Sequence, residues 1–209
     1  MSEPAAWMQA VDPQAFWAWF VQNLARLEAL AEGPDDALLD EIEQRLHRCS
    51  TGLWFEIGAP DAGGMEFIVS AEGDPDYFDA VRSVCEAAPA IPGWIVTAFK
   101  PPGGFEFSIE YEDITLDPAD CWFKPLLSKK APGRMALHVA VEGFDEVDPD
   151  DLLNALRLLV ECGLGELVAG ERIAFIEILP LPENPADEGF RPLTTLTGYV
   201  AHVSRTMDA

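Results

Sequence analysis

The chain predicts an α+β fold: a mostly antiparallel sheet with helices on one face, duplicated β-α-β units with a ferredoxin-like tendency, and an N-terminal helical hairpin. Three observations carry this reading. The stretch Met65 to Asp76, MEFIVSAEGDPD, recurs in pattern at Met135 to Asp151 as MALHVAVEGFDEVDPDD, with Met, Val, Glu and Gly at one spacing in both copies. Each copy then reaches an Asp-Pro-Asp that is suited to open a helix, so each reads as a strand-to-helix unit. Finally, the intervening segments alternate apolar and polar residues with period two, as half-buried strands do.

Taken in order, Asp12-Pro13 starts a helix, because the Asp side chain accepts from free first-turn amides and Pro at the first position loses no hydrogen bond. Phe16, Phe20, Leu24 and Leu27 then form one stripe, widened by Trp17, Val21, Trp19 and Leu30, up to the stop at Gly33-Pro34. A second helix runs from Asp35 to about Arg48 with Leu38, Leu39, Ile42 and Leu46 inward, completing a helical hairpin over 13–48. Strands are expected at Gly52 to Ile57 and Met65 to Ala71, followed by a helix from Asp74-Pro75 to Ala88 and a strand from Trp94 to Phe99. Phe105 to Ile114 shows the clearest alternation, with Phe105, Phe107, Ile109 and Tyr111 against Glu106, Ser108, Glu110 and Glu112. Residues 117–133 read as a connecting loop and the best boundary candidate. A strand from Arg134 to Val141, a helix from Asp148 to Cys162 and a strand from Arg172 to Leu179 complete the second copy, and a helix is expected from Pro192 to about Arg205. Residues 1–209 are thus expected to be a single α+β domain, duplicated internally over 65–115 and 134–180.

Composition narrows the function. Thirty-seven acidic residues against thirteen basic ones give a net charge of -24. Such a surface repels phosphate backbones and anionic head groups over a Debye length of about 8 Å, so neither nucleic acid nor membrane is an expected partner. It favours a protein partner, particularly a basic one, or leaves self-association as the alternative. The N-terminus lacks the basic and apolar regions of a secretory signal, and no stretch approaches the roughly 20 apolar residues of a spanning helix. Cys49, Cys85, Cys121 and Cys162 stand singly, which suits buried thiols in a reducing cytoplasm rather than disulfides or a zinc site.

No nucleophile elbow, phosphate-binding loop, dinucleotide fingerprint or zinc-protease spacing occurs, so neither cofactor, metal nor catalytic residue is assigned. Asp145, Glu146, Asp148, Asp150 and Asp151 resemble calcium ligands in type, but they lack the glycine turn of an EF-hand and suit a helix start. His138 shares its strand face with Ala136 and Ala140, where it can line a groove, and Glu66 and Glu106 can meet across strands as a carboxylate pair. These three are the ligand-site candidates. Lys124, Lys129, Lys130 and Arg134 concentrate four of the basic residues just after Trp122 and Phe123. With Trp19, the residues Trp122, Lys124, Lys129, Lys130 and Arg134 are the partner-site candidates; neutralising a nearby acidic patch is their simpler role.

The FWAWF block, GLWFEIG, MEFIVSAEGDPD and APAIPGWIVTAF resemble a group of uncharacterised bacterial conserved proteins of unknown function, over roughly the first half of the chain. The resemblance implies a bacterial cytoplasmic protein and carries no activity. The expected function is that of a non-catalytic acidic protein-binding or regulatory module. Such a module would dock its partner through acidic surface and exposed aromatics such as Trp7 or Trp19. The alternatives are a small-ligand binder or enzyme with a groove over the sheet, and a structural homodimer joined through a sheet edge or the Trp-rich helix.

Overall fold

The computed structural model describes residues 12–60, 63–127, 133–144 and 146–207. Contacts divide the chain after Lys100 into two compact units, residues 1–100 and 101–209, each with its own sheet and core. The division falls beside the Pro-Pro-Gly-Gly turn. The 117–133 segment lies inside the second unit instead.

The first unit opens with α1 (Pro13–Gln22), whose N-cap Asp12 accepts from the Gln14 amide at 2.9 Å. The helix expected to run on toward Gly33 breaks at Asn23, where the side-chain amide donates to the Trp19 carbonyl at 2.9 Å and the backbone leaves helical geometry. The chain resumes as α2 (Leu24–Glu28) and a 3-10 turn. Asp35 then caps α3 (Asp36–Cys49). Strand β1 (Trp54–Gly58) pairs antiparallel with β2 (Met65–Ser70), and β2 pairs parallel with β3 (Trp94–Ala98). Between those parallel strands lies α4 (Phe78–Glu86), entered through a 3-10 turn capped by Asp74.

Most of the wide apolar arc of α1 is core, with Val21 left exposed at its margin. Phe16, Trp17, Trp19 and Phe20 are all buried, and the Phe20 ring lies 5.0 Å from both Phe67 and Trp94. Trp17 Nε1 donates to the Val84 carbonyl at 2.7 Å, which ties α1 to α4. Burial therefore follows Phe67 and Val69 toward the helices, while Trp54 and Ile95 stay exposed on the opposite side of the sheet.

In the second unit, β4 (Ile109–Tyr111) and β5 (Ile114–Leu116) form a two-stranded hairpin. The longer strand expected from Phe105 does not form. The Gly103 and Gly104 amides instead donate to the Cys162 and Gly163 carbonyls at 2.8 and 3.2 Å, docking this segment on the end of a helix. That helix is α5 (Pro149–Leu164), capped by Asp148. The main sheet has the order β8-β7-β6-β9, from β6 (Trp122–Leu127), β7 (Met135–Val141), β8 (Ile173–Pro180) and β9 (Arg191–Pro192). Strand β6 occupies the segment expected to be a loop, and α6 (Glu166–Arg172) adds a short helix before β8. The last described element is α7 (Leu196–Met207). Phe123, Leu137 and Val139 from the sheet share one core with Leu156 and Leu159 of α5 and Leu193 and Leu196 near α7.

Both units contain the same device: a strand antiparallel to a middle strand, then a helical crossover, then a third strand parallel to the middle one. In each copy the parallel strands pair directly, β2 with β3 and β7 with β8. No strand is inserted between them, as the ferredoxin-like arrangement would require, so the repeats are plain rather than split β-α-β units.

Candidate interaction face

Alternation along β6, β7 and β8 separates two faces. Phe123, Leu137 and Val139 enter the core, so their neighbours Trp122, Lys124 and Leu126, Ala136, His138 and Ala140, and Phe175, Glu177 and Leu179 occupy the face opposite. Cross-strand register arranges these nine residues in three rows. The central row is Lys124, His138 and Glu177; Leu126, Ala136 and Phe175 lie on one side of it, and Trp122, Ala140 and Leu179 on the other.

The rows differ in chemistry. His138 Nε2 sits 2.9 Å from Glu177 Oε2, within hydrogen-bonding reach, and His138 is half-buried while Glu177 is exposed. Lys124 Nζ donates to the Glu188 carbonyl at 2.9 Å and lies 5.6 Å from the centre of the Phe190 ring, so it holds the returning loop before β9. Phe175 is 54% exposed and Leu126 37%, a pair of apolar side chains flanking a floor made by the buried Ala136. This face is therefore shallow and apolar with one polar seam.

A carboxylate-oriented imidazole becomes catalytic when a nucleophile or a transferable substrate proton lies within reach. The residues two places either side of His138 on β7 are alanines, and Lys124 is held by a carbonyl. Cys85 and Cys121 are poor nucleophiles. Burial pushes the Cys85 and Cys121 thiols up to about 12, helped by Glu86 beside the first and by Asp120 and Asp117 beside the second.

The other sequence candidates scatter. Glu66 lies on β2 in the first unit, where it accepts a hydrogen bond from Thr97, and Glu106 is exposed outside any strand, so the expected cross-strand carboxylate pair does not form. Trp19 is buried rather than presented to a partner: its Nε1 donates to Glu41 Oε1 at 3.0 Å, and the Arg45 guanidinium lies 4.5 Å from the ring. Arg45 and Arg26 in turn hold the Glu41 carboxyl below its ordinary range. Arg134 donates to the Gly170 and Ile173 carbonyls at 3.3 and 3.1 Å, fastening the end of α6 to the start of β8. Lys124 and Arg134 thus do structural work inside their own unit. Trp7, Lys129, Lys130 and Asp145 lie outside the described residues.

Two hollows in the second unit escaped the sequence. One, of about 380 Å³, has acidic walls from Asp113, Asp117, Asp120, Glu142 and Glu146. Among the described residues, no group of His, Cys, Asp and Glu has the arrangement to hold a metal ion. The other, of about 680 Å³, runs along α7 between Arg191, Tyr199 and His202, with the Arg191 guanidinium 5.4 Å from the Tyr199 ring. Glu177 itself carried no sequence signal, because only the parallel register of β7 and β8 brings it to His138.

No family model matches the chain, and no curated protein or solved structure matches it either. No helix among the described residues is long and apolar enough to cross a membrane.

Proposed function

We propose that the protein is a non-catalytic docking module that binds a protein partner through the open sheet face of residues 101–209. The observation that carries this reading is the exposure of Phe175, at 54%, on the same face as Leu126 and beside the His138–Glu177 seam. Clustered exposed apolar side chains with a polar border characterise interaction surfaces, and aromatic anchors contribute disproportionately to binding. The net charge of -24 favours a basic partner and gives association a salt dependence. The resemblance to conserved bacterial proteins and the solitary thiols support a bacterial, cytoplasmic setting.

The experiment is a pull-down from native cytosol at low and moderate salt, comparing the wild type with a Phe175→Ser/Leu126→Ser variant. A partner that the wild type retains, that the variant loses and that salt weakens is the expected result. A partner retained equally by both proteins, or indifferent to salt, would overturn the assignment. A small-ligand reading has one observation in its favour, the groove in which Arg191 stacks on Tyr199; it predicts binding of a compact anion that Arg191→Gln abolishes.

A further inference from the structure

We propose that β8 is a strand-accepting edge that takes an extended, basic peptide segment, adding it to the sheet beside Glu177. The inference rests on the docking reading above and specifies its geometry. Strand β8 is the longest strand among the described residues, with eight residues from Ile173 to Pro180, and it ends the sheet order. It hydrogen-bonds β7 on one side, and on the other no described strand pairs with it.

Proteins ordinarily blunt an edge with a short strand, a proline or a lysine. The opposite edge of this sheet follows that rule, since β9 is two residues long and contains Pro192. Strand β8 is guarded more lightly: its proline, Pro180, is its last residue, its one charged side chain is Glu177, and from Ile173 to Leu179 it has no proline or basic residue while its apolar Phe175 is exposed. Main-chain pairing to such an edge supplies affinity, while alternate side chains supply specificity. Phe175, Glu177 and Leu179 share the open face, so an added strand presents its alternate residues there in the order apolar, variable-charge, apolar. Opposite Glu177, 56% exposed, the complementary residue is Lys or Arg. A second copy of the chain brings another -24 to the same edge, whereas a cationic segment is drawn to it.

The test uses the full chain and two capped nine-residue peptides of alternating valine and threonine, one with a central lysine and one with a central glutamate. Amide hydrogen exchange is followed by NMR or mass spectrometry, with light scattering in parallel. The lysine peptide should slow exchange within 173–180 and bind roughly fivefold more tightly than the glutamate peptide at low salt, the scale of one exposed ion pair. Glu177→Lys should reverse that preference, and Glu177→Gln should abolish it. The proposal is overturned if millimolar lysine peptide leaves exchange in β8 unchanged, or if the two peptides bind alike. It is equally overturned if the protein alone dimerises with β8 protected, because the occupant is then a second copy. Should the cytosolic partner depend on Phe175 while neither peptide slows β8, docking on the face stands and strand addition falls. A partner indifferent to Phe175 alongside a peptide-protected β8 would remove the face and leave the edge.

Discussion

Replacing Gly163 with alanine should destabilise the second unit by about 1–5 kcal/mol, although alanine is the better helix former by about 1 kcal/mol. Gly163 lies in the last turn of α5, and a Cβ built there falls 2.3 Å from Cε1 and Cζ of Phe105 and 2.8 Å from Cδ1. Ordinary contact requires at least a further ångström. The ring cannot swing freely, because Phe105 is only 6% exposed and its segment is fastened by the Gly103 and Gly104 amides to the Cys162 and Gly163 carbonyls. Overpacking therefore costs about 1–3 kcal/mol. Loosening the two backbone bonds adds about 0.5–1.5 kcal/mol each, and the helix gain offsets about one. Urea unfolding followed by circular dichroism should show a lower midpoint at unchanged slope. In a Phe105→Ala background the sign should reverse, with Gly163→Ala stabilising by about 0.5–1 kcal/mol once the ring is gone. A wild-type background in which the alanine stabilises the protein would refute the packing described between Phe105 and α5.

Trp17→Phe should cost the first unit about 2–4 kcal/mol, from the Val84 carbonyl left without its 2.7 Å donor plus a small cavity. Trp94→Phe should cost less, since Trp94 Nε1 has no partner among the described residues, and equal losses in urea titrations would contradict the distinction. Cys85 and Cys121, raised from 9.0 to about 12, stabilise the fold fully below pH 9 and lose that contribution as pH rises toward 12, because only the unfolded thiols ionise across that window. Under reducing conditions Cys85→Ala/Cys121→Ala should flatten the alkaline decline in stability, and fast alkylation of Cys121 in the folded protein at neutral pH would show the thiol to be accessible instead.

Much of the architecture was legible because its causes are local. Asp12, Asp74 and Asp148 each accept from amides at a helix or 3-10 start, as their Asp-Pro pairs imply, and Asp117 does so for a single 3-10 turn. Met65, Phe67 and Val69 alternate into the core because β2 has a helix-covered face. What remained illegible depends on distant partners. The segment from Phe105 carries a strand pattern, yet its backbone bonds go to α5, far along the sequence. Pro125 argues against a central strand, and β6 accommodates it opposite Leu137 because pairing with β9 stops at Phe123, leaving the other flank at Pro125 without a described strand. Trp19 looks available until Glu41 and Arg45 of α3 enclose it. Of the proposed face, His138, Lys124 and Trp122 were found from sequence, while Phe175 and Glu177 emerged only from the parallel register.

The bare edge of β8 gives the acidity of the chain a second meaning. A strand guarded locally only by Glu177 and the terminal Pro180 needs a further guard against its own copies, and a charge of -24 provides one that acts before contact, through space. Such a guard is collective and conditional. It weakens with screening and vanishes as the solution approaches the isoelectric point near 4.2, where copies meet without repulsion and the edge becomes a seed for sheet growth. Solubility and selectivity are then one property: the same field that holds identical chains apart leaves the edge open to whatever arrives with the opposite sign.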